Sequence, residues 1–510
     1  MGLGKHNLAV LGEQSFERHG DYDSIFFEGR WYSTGELFER TRKLAGGLIE
    51  LGIEPGDRVM VMMANGPEVG ISYGALWRAG AVITPAIFLL SPDELRHILQ
   101  DSEARAVITT PEFVATIKGA ADGVDSVKWI ISTGEEEDGV ISMSSLENAE
   151  PTDIVPREDD DLAALMYTGG TTGRAKGVML SHSNWWHAGK AAFEASNVPG
   201  LDRTLVCLPL SHSFGLLVSV VGLHSTQRQV TVLQRWPDPN EMLPLLAEHK
   251  IHGAPLVPSM IQMLLALPLE DHDLSELKYI VSGASPLAPE VAREIERRIP
   301  GIEVREGYGL TETSASTTVN PPNARKIGSV GKPMSGFEIR LADDDSNEVP
   351  EGEVGEITVR SKSIMQGYWK SPEATEEAVK DGWFYTGDIG RLDEDGYLYI
   401  VDRKKDLILR GGFNVFPRDV EDALLEHPAV AVAGVVGKPD ELRGEEVVAF
   451  VQLAPGQEVT PEDLIEFSRE RLGKYKYPRE VRIVESVPLT PVGKIDRKVI
   501  RAQVVAEGQS

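Results

Sequence analysis

Short apolar runs alternate with helix-length segments through most of the first 305 residues, and that alternation limits the chain to few architectures. Residues 58–62, 81–87 and 104–109 read as strands. The segments 33–51, 65–80 and 92–100 read as helices, with Leu37, Leu44, Leu48 and Leu51 on a common side of the first. Strands separated by crossover helices pair in parallel and bury both faces of their sheet. The pattern repeats beyond the acidic stretches 134–138 and 150–161. Residues 204–208, 230–233, 253–257, 277–281 and 302–305 read as strands, and 240–249, 258–267 and 289–298 as helices. Ser183 is the expected cap of a helix running to residue 195. From residue 337 the helices thin out, and 337–341, 354–359 and 391–401 read as antiparallel β-structure. Past residue 402 the alternation resumes on a smaller scale, in a stretch of about 100 residues that can hold its own core.

Composition excludes several function classes. The formal net charge of −28 argues against nucleic acid or an anionic membrane as a standing partner. No apolar run is long enough to span a bilayer, no signal peptide stands out, and the C-terminal residues are not a peroxisomal address. The single cysteine, Cys207, lies in an apolar run and reads as buried structure in a reducing compartment; the expected location is cytoplasmic.

An anionic substrate on so acidic a chain requires local cations and N–H groups. Residues 167–177, YTGGTTGRAKG, supply them: four glycines, three threonines and Lys176 follow directly on an apolar strand. Glycines let backbone N–H groups converge on an anion, threonine hydroxyls add donors, and lysine adds a point charge. A surface turn is the ordinary meaning of a glycine-rich stretch, but the paired threonines and the preceding strand weigh against it. The order Lys176-Gly177-Val178 rules out a Walker A loop.

The loop resembles the phosphate loop of the adenylate-forming superfamily, whose usual form is T-S-G-T-T-G-x-P-K-G; Gly169 and Ala175 replace its serine and proline. Four further segments fall in that superfamily's order: Glu306-Gly307-Tyr308-Gly309-Leu310-Thr311-Glu312, Tyr385-Thr386-Gly387-Asp388, residues 402–414, and residues 488–497. Each read alone is a turn, a charged linker or a surface lysine. Together they resemble the superfamily over nearly the whole chain, closest to fatty acyl-CoA synthetases.

The resemblance implies an α/β fold. Its large N-terminal adenylate-forming domain, residues 1–402, comprises αβ layered sheets plus a small β-barrel-like part. A hinge at 403–405 follows, and a small α+β C-terminal domain, 406–510, moves as a lid. The implied substrates are ATP, a carboxylic acid and coenzyme A, with Mg²⁺ held by Thr168 and Glu312. Thr168, Gly169, Gly170, Thr171, Thr172, Gly173 and Lys176 would cradle phosphate. Gly283, Ala284 and Ser285 would line the adenine side, together with Glu306, Gly307, Tyr308, Gly309 and Thr311. Asp388 and Arg403 would meet ribose. Lys494 would enter for adenylation, His212 would lie near the acyl carboxylate, Lys405 is the implied hinge residue, and Gly411 and Gly412 would face the pantetheine channel.

Leu409-Arg410-Gly411 stands where luciferase-like members carry Lys-Tyr-Lys, which disfavours a light-emitting oxygenase. A medium- or long-chain fatty acid is the expected substrate. An aryl- or coumarate-type ligase is the alternative, and a non-catalytic nucleotide-binding protein the reading from a different class. Whether the thiol acceptor is coenzyme A or a carrier protein, and the oligomeric state, are left open, with homodimers common among the relatives implied.

Overall fold

The computed structural model describes residues 2–168, 174–440, 442–490 and 495–508. Gly169, Gly170, Thr171, Thr172, Gly173 and Lys494 therefore lie outside the described residues. The chain falls into two compact units: Met1–Ile339 with Val359–Phe384, and Arg340–Thr358 with Tyr385–Ser510.

The first unit is built on two large sheets. In the eight-stranded one, Leu162–Thr168, Val82–Pro85, Arg58–Met62, Ala106–Thr109, Trp129–Ser132 and Ile141–Ser142 run in parallel, and Lys176–Ser181 and Gly367–Tyr368 extend it as antiparallel strands. In the nine-stranded one the parallel strands are Glu303–Tyr308, Tyr279–Ser282, Gly253–Leu256, Arg203–Val206, Val230–Leu233 and Asp23–Phe27. The central strands are apolar throughout because helices cover both faces. Leu205, Val232, Leu256 and Ile280 form one core with Leu246, Ile261, Leu264 and Ile295 from the helices Pro239–Glu248, Pro258–Leu265 and Pro289–Arg298. Each such side chain contributes about 1.5–3 kcal/mol of burial. Cys207 belongs to this core, and burial pushes its thiol up to about 12, so it has no nucleophilic role.

One local expectation is revised and two elements are added. The helix His182–Ser196 is capped by Ser181 rather than Ser183: the Ser181 hydroxyl accepts from the Asn184 N–H at 3.1 Å, and the Asn184 side chain accepts from the Ser181 N–H at 2.8 Å. That reciprocal box satisfies two backbone donors, which Ser183 inside the first turn cannot do. Lys176–Ser181, with no alternating pattern of its own, is held as a strand by the neighbour it folds back on. The helix Ser213–His224 is apolar on nearly every side, so it shows no periodicity to read.

In the second unit, the strands Phe413–Val415, Ile408–Arg410, Gly444–Leu453 and Val430–Asp440 form a sheet with Glu480–Ile483 beside the third. The helices Pro417–Leu425, Pro461–Arg471 and Arg497–Gly508 complete it. Val420, Leu424, Val435, Val447, Ala449 and Leu464 are its core. A further five-stranded sheet is formed by Phe337–Ala342, Val354–Ser361, Trp383–Leu392, Val379–Lys380 and Leu398–Arg403.

His182 links fold to pH. It is fully buried, its Nδ1 accepts from the Leu8 N–H at 3.2 Å, and burial, aided by Arg157, holds its pKa down to about 4 from an ordinary 6.5. The unfolded chain takes up this proton below about pH 6.5 and the folded chain only below about 4, so stability is lost as pH falls through that window. We expect unfolding free energy to drop between pH 7 and 4.5, with about 2–3 kcal/mol of the loss due to this residue. Denaturant titrations should show a shallower pH slope for His182→Asn than for the native chain.

Candidate active site

Parallel strands deliver their following loops to one edge of a sheet, which is where open α/β proteins bind ligands. In the nine-stranded sheet, Gly283, Ala284 and Ser285 follow Tyr279–Ser282, and Tyr308 ends Glu303–Tyr308 just ahead of Gly309, Thr311 and Glu312. His212 follows the strand Arg203–Val206 as the N-cap of its helix, its Nδ1 accepting from the Phe214 N–H at 3.3 Å. Ser282 and Glu306 are register partners, so Gly283 and Gly307 are neighbours; a side chain built on Gly283 would come within 3.3 Å of the Gly307 carbonyl and 3.7 Å of the Phe214 ring. Thr311 Oγ1 lies 3.4 Å from Ser213 Oγ, which ties the Thr311–Glu312 turn to the His212 loop.

The backbone here is held in demanding conformations. Ala284, Ser314 and Ala315 have φ of 70°, 55° and 82°, which side-chain-bearing residues adopt at a cost. Gly309 is obligatory for a different reason: a Cβ there would lie 2.2 Å from the Ala315 carbonyl oxygen.

Thr168 and Lys176 are register partners at one end of the antiparallel pair Leu162–Thr168 and Lys176–Ser181, the base of that pair. That base is pinned. Tyr167 donates to Asp101 at 2.6 Å, the Trp369 N–H donates to the Gly177 carbonyl at 2.7 Å, and His97 Nε2 lies 2.9 Å from the Ala175 carbonyl. Lys176 is exposed, its ammonium 5.2 Å from the centre of the Tyr368 ring. The Tyr368 hydroxyl donates to Glu312 Oε1 at 3.0 Å. Tyr368 thus connects the phosphate-loop lysine to the carboxylate, and burial followed by the Glu312 charge raises its own pKa, keeping it a donor. Nothing in the sequence marks Tyr368 beyond an aromatic after a glycine; pairing of Gly367–Tyr368 with Lys176–Ser181 places it.

In the second unit, Asp388 and Arg403 are antiparallel register partners, with Arg403 Nε 3.0 Å from Asp388 Oδ1. Asp388 is nearly buried, and its N–H donates to Thr386 Oγ1 at 3.1 Å. Gly411 and Gly412, at φ of 58° and 82°, make the two-residue turn between Ile408–Arg410 and Phe413–Val415. Lys405 sits exposed in the short 3₁₀ segment Lys404–Asp406.

Among the described residues no group of three or more His, Cys, Asp or Glu side chains could hold a metal; ions that need few protein ligands are carried mainly by substrate phosphate oxygens. Mg²⁺ is bound that way, through one or two carboxylates plus substrate phosphates. Glu312, almost fully buried, is a carboxylate of the required kind.

Comparison with known proteins follows the same lines. The AMP-binding enzyme family matches residues 12–369, and the AMP-binding enzyme C-terminal domain matches residues 419–494. A long-chain-fatty-acid–CoA ligase of Escherichia coli O6:H1 is 34% identical, covering 97% of this chain and 94% of its own length. A feruloyl-CoA synthase of Amycolatopsis is 37% identical, covering 91% of this chain and 92% of its own. The ATP-bound MatB structure from Rhodopseudomonas palustris superimposes with a TM-score of 0.88 at 31% identity, over 97% of this chain and 98% of that one.

Gly309→Ala should lower unfolding stability by about 1–3 kcal/mol through overpacking and weaken ATP binding. Gly12→Ala, in the helix Leu8–His19 with nothing within 4 Å of the new methyl, should leave binding intact and add about 0.5–1 kcal/mol. Calorimetric titration with ATP and urea unfolding of the two variants check this.

Proposed function

The chain belongs to the AMP-binding enzyme family, and we propose that it is an ATP-dependent, AMP-forming acid–CoA ligase acting on a medium- or long-chain fatty acid. The observation that carries the reading is the convergence of His212, Gly283, Gly307, Thr311 and Glu312 at the carboxyl ends of parallel strands, with Tyr368 joining Glu312 to Lys176.

A carboxylate is a poor electrophile because its oxide leaves badly. In the first half-reaction a carboxylate oxygen attacks the α-phosphorus of ATP and the bond to the β-phosphate oxygen breaks, giving acyl-AMP and pyrophosphate. In the second, the coenzyme A thiol loses its proton, its sulfur attacks the acyl carbon, and AMP leaves. Catalysis here is positioning and charge neutralisation. Thr168, Gly169, Gly170, Thr171, Thr172, Gly173 and Lys176 hold the β- and γ-phosphates. Tyr308 and Gly283 to Ser285 flank adenine, and Asp388 and Arg403 bind ribose. His212 orients the acyl carboxylate. Glu312 and Thr168 would hold Mg²⁺, which would neutralise phosphate charge there. Lys494 bridges the carboxylate and the α-phosphate, then withdraws as the segment after Lys405 turns and Gly411-Gly412 faces the incoming pantetheine. The proposed setting is the cytoplasm, where ATP and coenzyme A are both supplied, with a homodimer as the working assembly.

The feruloyl-CoA synthase likeness supports a second reading, an aryl acid as substrate. A panel of fatty and cinnamic-type acids separates the two, and pyrophosphate release without any acid preference for aliphatic chains would overturn the first. No release with any acid would leave a nucleotide-binding protein instead. Lys494→Ala should abolish pyrophosphate exchange yet leave thioester formation from supplied acyl-AMP largely intact; equal loss of both would refute the proposed role of Lys494.

A further inference from the structure

The second unit contains a buried cluster of charges that the reaction above does not use. Arg497 opens the helix Arg497–Gly508, three residues after Lys494. Its Nη2 donates to Glu421 Oε2 at 2.6 Å, its Nε to Glu421 Oε1 at 3.3 Å, and its Nη1 lies 3.5 Å from Asp406 Oδ2. Arg501, one turn further on, places Nη1 3.3 Å from Asp406 Oδ1 and Nη2 3.4 Å from the Lys405 carbonyl. Glu421 on the helix Pro417–Leu425 also accepts from the Val435 N–H at 2.8 Å. Side-chain exposure is 7% for Glu421, 9% for Asp406 and 18% for Arg497, so these charges are largely withdrawn from water.

A buried ion cluster is a poor device for stability alone, because desolvation consumes most of the attraction and apolar side chains of the same volume serve as well. What it supplies is geometry: bidentate pairing through a planar guanidinium allows little play. The geometry in question is that of the described residues flanking Lys494. Leu489 and Ile495 form an antiparallel bridge, and the Asp496 N–H donates to the Pro488 carbonyl at 2.8 Å, so the chain on either side is held together. On one side Ile495 packs against the core of Val487, Ile500 and Val504. Arg497 supplies the other anchor, and it runs to Asp406, the residue directly after the proposed hinge at Lys405.

We propose that Arg497 is a positioning residue for Lys494: held by Glu421 and Asp406, it fixes residues 495–497, which directly follow Lys494, to the segment leaving the proposed hinge. The proposal rests on the role given to Lys494 above and adds a residue that touches no substrate.

The test is to measure the two half-reactions separately in the full-length Arg497→Gln and Arg497→Lys proteins. For Arg497→Gln, ATP–pyrophosphate exchange should fall roughly a hundredfold in kcat, with KM for ATP within about twofold and thioester formation from supplied acyl-AMP within about threefold. Arg497→Lys keeps the buried charge without the fork and should show a smaller loss of the same kind. Should Arg497→Gln not fold, Glu421→Gln, which retains acceptors for Val435 and Arg497, must show the split instead. In a Lys494→Ala background, Arg497→Gln should cause no further loss of exchange, because both act on one step. Equal loss in both half-reactions, or no loss in either, overturns the proposal. If Lys494→Ala itself shows no split, the reading of Lys494 fails first; if it does and Arg497→Gln does not, only the present inference fails.

Discussion

Parallel strand pairing is the constraint on which the site depends. Five or more parallel neighbours in each large sheet of the first unit oblige every intervening helix to return the chain to the same starting edge. The opposite edge then collects all the loops that leave a strand. His212, Gly283 and the segment Tyr308 to Glu312 are separated in sequence and are brought to one edge for that reason. The close backbone approaches at Gly283 and Gly309 are the local consequence of crowding those loops together.

Electrostatics adds a second demand. A chain with a formal net charge of −28 repels a polyphosphate at long range, so attraction must come from a few groups at close quarters. Lys176 is exposed, its ammonium 5.2 Å from the centre of the Tyr368 ring, an arrangement that suits the proposed binding of an anion. Asp388 is treated oppositely. It is buried against Arg403, its cross-strand partner, with Arg403 Nε 3.0 Å from its Oδ1.

Much of this was legible in the residues. The strand pattern identified the parallel sheets because buried parallel strands are largely apolar, and the glycine-threonine run is the basis of the proposed anion loop because few other residues permit one. Three things were hidden. The helix Ser213–His224 lacks a polar face, so its period is invisible. The strand Lys176–Ser181 exists through pairing with Leu162–Thr168 rather than through its own composition. Tyr368 and Arg497 are ordinary residues in a linear reading; only their partners, Glu312 and Lys176 for one, Glu421 and Asp406 for the other, give them meaning.

What the sequence determined by itself is an order of motifs shared with one enzyme family, and with it the proposed backbone for phosphate and the proposed carboxylate for a hard cation. These follow from residue type and spacing, which are properties of the chain. What only the tertiary structure decided is which groups act on each other. Hydrogen bonds, ion pairs and cation–π contacts form across a few ångströms between residues far apart in the chain, as Lys176 and Tyr368 are at 192 positions, and no linear pattern encodes a distance of that kind.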